Sequence, residues 1–350
     1  MPSPRTRPVR ARRTVVVFII TFVALTAGFS FAADTFTPTL RDPEYGKKLT
    51  RLTARTAAHP GRPVVAVFGS SRVGMGIRPS AVEAAFDPGH RPVVANLSLV
   101  GSGPLMQLLV FERVRRARFR PDAIVVEFWP ALGRNGDADR EENRIDPVRL
   151  FPGDRDLVRS YFRHPGAVER RMRAARWNPW TASRARLIGL TFPGWLPAGM
   201  RADAGWAALD PEGWSAGLTD KDVAAVRHND MDRSYYGPRL KDTTVSDVSD
   251  QALHDFAARC RADGIPLAFV WLPESTRFRE LYSPQTEAAV TGYWHRLIAD
   301  CGVPGIDCRK AMTDDCLPDG FHLTQSGAAE FGPIFADELR RAFPRLGRRE

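Results

Sequence analysis

The first thirteen residues contain no acid, and the next nineteen, Thr14 to Ala32, contain no charge of either sign. Cysteine is scarce: Cys260, Cys301, Cys308 and Cys316 include no CxxC pair and have no histidine at ligand spacing, which removes the zinc-finger and zinc-ribbon patterns. No basic stripe alternates with aromatics and no basic recognition helix is evident, so the positive balance is not a nucleic-acid footprint. Five of the ten net charges, Arg5, Arg7, Arg10, Arg12 and Arg13, fall in the acid-free start, which leaves a modest excess on the rest of the 350 residues. There is no internal repeat and no low-complexity tract beyond the basic ends.

The uncharged run is long enough to matter. A helix of about 20 residues crosses the ~30 Å hydrocarbon core of a bilayer, and arginines on its N-terminal side set that end in the cytoplasm. Residues 1–33 are therefore read as a basic N-terminus followed by a membrane anchor through 14–32, with the remainder outside the cytoplasm. Ser30-Phe31-Ala32 before Ala33 also fits a small-x-small cleavage site, and cleavage would leave a secreted or periplasmic protein. Residues 34–62, with a helix expected over 43–57, read as a juxtamembrane linker. Export would permit disulfides. One bridge among Cys301, Cys308 and Cys316 is then one expectation, and small buried thiols are the other.

Beyond the linker the chain alternates. Apolar runs at 63–68, 92–97 and 123–128 have strand length, and helical stretches at 79–86 and 104–118 separate them. The rhythm stops at Trp129. Residues 131–246 read as a mainly helical insertion, a lid over the sheet's carboxyl edge, with a helix over 148–176. Trp177, Trp180, Trp195, Trp206 and Trp214 are expected either in its core or as a sugar-stacking surface. The alternation resumes with helix 248–263, strand 266–272, helix 284–301, a short strand 305–307 and a closing helix 324–343. Strands alternating with helices predict an α/β fold, a three-layer α/β/α sandwich with a parallel, flavodoxin-like five-stranded sheet, built from 63–130 and 247–343.

The chemistry concentrates after the first strand and near the C-terminus. Val64-Val65-Ala66-Val67-Phe68 ends in Gly69-Ser70-Ser71-Arg72. A buried strand that delivers a hydroxyl onto a small-residue turn is a common way to present a nucleophile. A serine hydroxyl needs a base to take its proton and an acid to orient that base. Asp319-Gly320-Phe321-His322 supplies both on one loop. The N–H of Ser71 and that of Gly101, which has no Cβ to hinder approach, are the candidate oxyanion donors. Arg72 and Trp129 are candidates to contact substrate, and Glu274 and His164 are weaker candidates for the site. Competing motifs fail on single residues. Met75 stands where a phosphate-binding loop needs lysine, a third glycine is missing from the dinucleotide pattern, and Val73 stands where a nucleophile elbow needs glycine.

Gly69-Ser70-Ser71, Gly101 after Asn96-Leu97-Ser98, and Asp319-Gly320-Phe321-His322-Leu323 resemble the first, second and fifth blocks of the SGNH/GDSL hydrolase superfamily. The resemblance covers roughly 63–129 and 247–340. It is closest to the membrane-tethered branch similar to alginate O-acetylation and teichoic-acid alanylation proteins. The family's first block usually reads Gly-Asp-Ser, and Ser70 takes the middle place here. The third block, Gly-x-Asn-Asp, is replaced by Glu127-Phe128-Trp129-Pro130, so the asparagine donor is missing and Asn135 is the nearest substitute. The resemblance implies Ser71, Asp319 and His322 as catalytic residues, no metal and no cofactor. It implies an ester hydrolase or O-acyltransferase acting on an acylated carbohydrate or small acyl ester, with a membrane-bound protein as acyl donor. Two other classes stay open: a catalytically quiet glycan-binding or assembly protein, and a phosphate-handling enzyme that uses Arg72.

Overall fold

The computed structural model describes residues 6–135, 140–197, 209–219 and 232–346. Trp206 lies outside them. The chain divides into two compact units, Met1–Gly46 with Asp146–Asp203, and Lys47–Ile145 with Ala204–Glu350.

The larger unit is built on a five-stranded parallel sheet of β1 (Val64–Phe68), β2 (Val93–Asn96), β3 (Ala123–Glu127), β4 (Leu267–Trp271) and β5 (Gly305–Asp307), in the order β2-β1-β3-β4-β5. β1 to β4 are buried along their whole length, which is why they read as apolar runs instead of alternating ones, broken only at the final Asn96 of β2 and Glu127 of β3. The alternation survives in where the side chains go. Val65 and Val67 join a core with Phe331, Phe335 and Leu339 of helix Gln325–Ala342. Phe68 points to the other face, 5.9 Å from Phe111 of helix Pro104–Arg116 and 5.5 Å from Phe256 of helix Asp247–Ala262. Helices thus cover both faces, and the three-layer α/β/α arrangement follows from a period of two on a doubly covered sheet. In this strand order the connections diverge beside β1, which opens a crevice at the strands' carboxyl ends.

Several expectations are corrected. The helix expected over 43–57 is present as Pro43–Ala58, but from Lys47 onward the stretch read as a linker belongs to the larger unit. Arg55 of that helix pairs with Glu83 beside β2. The insertion is not one piece: only Asp146–Asp203 clusters with the N-terminal segment, and its two ends belong to the sheet's unit. The single helix expected over 148–176 is broken into short turns at Pro147–Arg149 and Pro152–Asp154, then helices Arg155–Tyr161 and Pro165–Trp177. Pro152 and Pro165 each disfavour helix in the residue before them. Trp214 is buried, but Trp177 and Trp195 are about three-quarters exposed and Trp180 nearly half, so these three do not form a lid core. All four cysteines are free thiols, three of them buried. Of the two expectations, the structure shows the thiols and not a bridge, and burial pushes Cys260 and Cys308 up to about 12.

The smaller unit carries helix Thr6–Thr35. Its stretch Arg10–Thr35 is long and apolar enough to cross a membrane, and only 6% of its most apolar window is buried within the protein.

Candidate active site

β1 ends at Phe68, and the chain turns at once into helix Ser71–Gly76. Ser70 caps that helix, its hydroxyl accepting the Arg72 N–H at 3.2 Å. Ser71 is thus the first helical residue, where an N–H has no acceptor within the helix. The turn requires glycine at 69. A Cβ there would come within 2.2 Å of Val73 Cγ2 and 2.9 Å of Glu127 Cβ. Glu127, the last residue of β3, accepts the Ser70 N–H at 2.6 Å through Oε2 and ties the turn to the neighbouring strand.

Ser71 Oγ lies 2.7 Å from His322 Nε2, and His322 Nδ1 lies 2.7 Å from Asp319 Oδ2. The network assigns the tautomer: Nδ1–H donates to the carboxylate, and Nε2 is left to accept the serine proton. The three-residue spacing has a local cause. Asp319 Oδ1 accepts the backbone N–H groups of Phe321 at 3.1 Å and His322 at 2.8 Å, so one oxygen folds the loop and the other holds the ring. Burial works against the Asp319 carboxylate, but the His322 ring and these N–H groups outweigh it and hold its pKa below the usual range. Gly320 turns with φ +95°, and a Cβ would press on Phe278 at 3.1 Å.

Gly101 lies on the loop after β2. Leu97 and Leu99 donate to the carbonyls of Val67 and Gly69, so this loop runs beside the Ser71 turn. Gly101 has φ +71° with open space around it; its conformation, not crowding, calls for glycine. Ser71 and Gly101 thus both lie just beyond the carboxyl ends of neighbouring strands.

Other expected site residues are placed elsewhere. Arg72 is buried and does not reach solvent. Its side chain is about 1% exposed, donates to the carbonyls of Leu272, Pro273 and Phe321, and lies 4.5 Å from the Trp129 ring centre. Nη1 sits 3.6 Å from Glu127 and 3.8 Å from Glu274. The guanidinium therefore bolts the Ser71 turn to the loop that carries His322. Trp129 is also buried, packed on Phe321 and Phe278, with its N–H given to Glu274 at 3.1 Å. Glu274 is a core group whose pKa burial raises against the pull of Arg72. Asn135 is exposed and turned to Thr244, which receives both its amide N–H at 3.2 Å and its backbone N–H at 2.9 Å. His164 precedes helix Pro165–Trp177 in the smaller unit.

Three supports of the site were not expected. Asn96, at the end of β2, donates to the carbonyls of Val73 and Ile77, both at 2.9 Å, and so holds helix Ser71–Gly76 against the sheet. Lys48 reaches Ser98 at 2.7 Å and Asn96 at 3.1 Å. The segment 209–219 runs alongside, with Trp214 donating to the Met75 carbonyl at 2.7 Å, Ser215 to Gly74 at 3.1 Å, and Leu218 accepting from Gln325 at 3.0 Å. The sequence marked Asn96 only as part of a motif and Trp214 only as a lid aromatic; the one further signal was Lys48, which falls on the same helix face as Tyr45 and Leu52. Among the described residues no group of three His, Cys, Asp or Glu side chains is placed to hold a metal.

Fold and site together define a parallel α/β protein with a Ser–His–Asp relay at the sheet's carboxyl edge. No protein-family model matches the chain, and no curated protein matches it.

Proposed function

We propose that this chain is a serine-dependent ester hydrolase or O-acyltransferase of the SGNH type, anchored by its N-terminal helix with the sheet domain outside the cytoplasm. The observation that carries the reading is the unbroken relay from Ser71 Oγ through His322 to Asp319, with two contacts of 2.7 Å. In the proposed reaction Ser71 Oγ attacks an ester carbonyl carbon while His322 Nε2 takes the hydroxyl proton. The tetrahedral oxyanion is held by the N–H groups of Ser71 and Gly101. Its collapse breaks the ester C–O bond, and the departing alkoxide takes the proton from Nε2. The acyl group on Ser71 then passes to water or to a sugar hydroxyl that His322 deprotonates. An acylated glycan, with a membrane-bound protein as acyl donor, is the substrate class the family likeness suggests. The chemistry itself calls for neither metal nor cofactor.

One observation favours a second reading, a catalytically quiet glycan-binding protein. Phe128 and Trp129 after β3 are buried and Asn135 is engaged with Thr244, so neither stretch supplies a side-chain amide as a third oxyanion donor. One missing donor costs roughly 3 kcal/mol in the barrier. The deciding experiment uses the full chain in detergent or nanodiscs, treated with a fluorophosphonate and assayed with p-nitrophenyl acetate, with and without an oligosaccharide acceptor. Modification of Ser71 and turnover that Ser71→Ala abolishes support the enzyme, and acetylated oligosaccharide selects transfer. A folded chain with no modified Ser71 and no turnover selects the binding protein.

A further inference from the structure

Helix Thr6–Thr35 carries its last basic residue, before the apolar run, at Arg13. At 1.5 Å per residue, Phe29 lies about 24 Å and Asp34 about 31 Å further along, the far boundary of a ~30 Å hydrocarbon layer. Another part of the same unit meets the helix at that level. Trp180 packs on Phe29 with ring centres 4.5 Å apart. Ser30 donates to the Arg176 carbonyl at 2.7 Å, and the Arg176 side chain pairs with Asp34 at 2.8 Å. The joint between helices Pro165–Trp177 and Pro179–Thr191 is therefore fixed, by contacts within one unit, to the last turns of the apolar helix.

This joint is exposed and aromatic. Trp177 is 75% and Trp180 46% exposed, and on the apolar helix and just beyond it Phe31 is 61% and Phe36 70% exposed, with rings 5.7 Å apart. Bulky aromatics left in water at one level of a membrane-length helix have the composition of an interfacial belt. From Arg163 to Arg186 there are seven arginines and one acid, Glu169, and exposed Arg173 and Arg184 lie within a turn or so of the two tryptophans. Guanidinium groups beside such a belt are placed to donate to lipid phosphates.

We infer that this helix joint is a second membrane contact: Trp177 and Trp180, with Phe31 and Phe36, sit in the phospholipid headgroup layer opposite the basic N-terminus, and the neighbouring arginines bind headgroup phosphates. The occupant of the exposed face is lipid. The inference rests on the proposed anchoring of the N-terminal helix and is independent of Ser71.

The test uses the full chain in phospholipid nanodiscs, with Cys316→Ser to remove the one cysteine that is not buried. An environment-sensitive fluorophore is placed singly at Trp177→Cys, at Phe22→Cys within the apolar run, and at Asp337→Cys on helix Gln325–Ala342. The expected result is that headgroup-nitroxide lipid quenches the emission at 177, the depth at which an interfacial belt lies, and mid-chain-nitroxide lipid quenches it less. Position 22 shows the reverse order, and 337 responds to neither. An inserted 22 with a 177 that behaves like 337 overturns the inference and leaves the anchor standing. A 177 shielded from water yet unquenched by either lipid overturns it in favour of a protein occupant. If 22 is also unquenched, the anchor falls with it.

Discussion

At the scale of single residues, Asp319 makes two separable contributions. Oδ1 accepts backbone N–H groups, and Oδ2 accepts the ring N–H. Asp319→Asn with its carbonyl kept at the Oδ1 position preserves the loop but sets an amide donor against Nδ1. The ring then takes the other tautomer, and Nε2 carries a hydrogen toward Ser71. In the proposed ester cleavage kcat is expected to fall by about 10⁴, the cost of that tautomer in a serine protease triad, with little change in the denaturation midpoint. A fall of less than tenfold in kcat would mean that the aspartate does not set the tautomer. Arg72 acts in the opposite sense, through structure. Arg72→Met leaves Glu127 and Glu274 buried without their shared cation and frees the carbonyl of Phe321 beside His322. Breaking a buried ion pair from one side costs roughly 3–5 kcal/mol, so the urea midpoint should drop sharply. Adding Glu127→Gln and Glu274→Gln should recover much of the loss. A near-normal midpoint in the single variant would show that the guanidinium is not holding the two loops together.

At the scale of elements, the strand–turn–helix around Ser71 depends on close approach between β1, β3 and the helix start. Gly69→Ala places a methyl against Val73 and Glu127, and overpacking of this kind costs about 1–3 kcal/mol. Because the displaced group is the turn itself, reaction of Ser71 with a fluorophosphonate should slow more than stability alone explains; unchanged labelling would show that the turn can shift without moving Oγ. The same elements explain what could be read in advance. Strands buried on both faces announce themselves as apolar runs, and the Asp319–His322 loop as a local pair, because their causes are local. The role of Arg72 had no local cause. An arginine after a nucleophile resembles a ligand contact, and its partners, Glu127, Leu272, Pro273, Glu274 and Phe321, come from distant parts of the chain. The segment 209–219 has no strand or helix period at all, so its place along helix Ser71–Gly76 was invisible. The break at Pro165 was legible, since proline disfavours helix in the residue before it, but the expected helix over 148–176 ran through it.

At the scale of the whole molecule, the division into units follows three-dimensional contacts that composition does not mark: the mid-chain segment Asp146–Asp203 belongs with the N-terminal helix. Within the sheet's unit, stability should carry a pH signature from one buried carboxyl. Glu141 closes the N-terminus of helix Pro104–Arg116, its two oxygens accepting from Leu105 at 2.8 Å and Met106 at 2.9 Å. Burial nevertheless pushes its pKa from an ordinary 4.5 up to about 7, against the pull of these N–H groups and of Arg144. A carboxyl with a raised folded pKa binds more protons folded than unfolded, so its contribution is complete below 4.5 and lost as pH rises through 7. The shift corresponds to about 3 kcal/mol. Asp319 has the opposite sign: its lowered pKa contributes stability above the ordinary aspartate range that is lost only as pH falls below it. Between pH 5 and 8 the Glu141 contribution should therefore decline while that of Asp319 stays constant. Glu141→Gln keeps one acceptor and cannot titrate. At pH 5 it should cost about 1–3 kcal/mol for the unmatched N–H, and by pH 8 the gap to the wild type should close or reverse. Urea midpoints of both proteins at the two pH values measure this directly. Parallel pH dependences would mean that Glu141 stays ionised throughout, held by the helix N–H groups more strongly than burial opposes them.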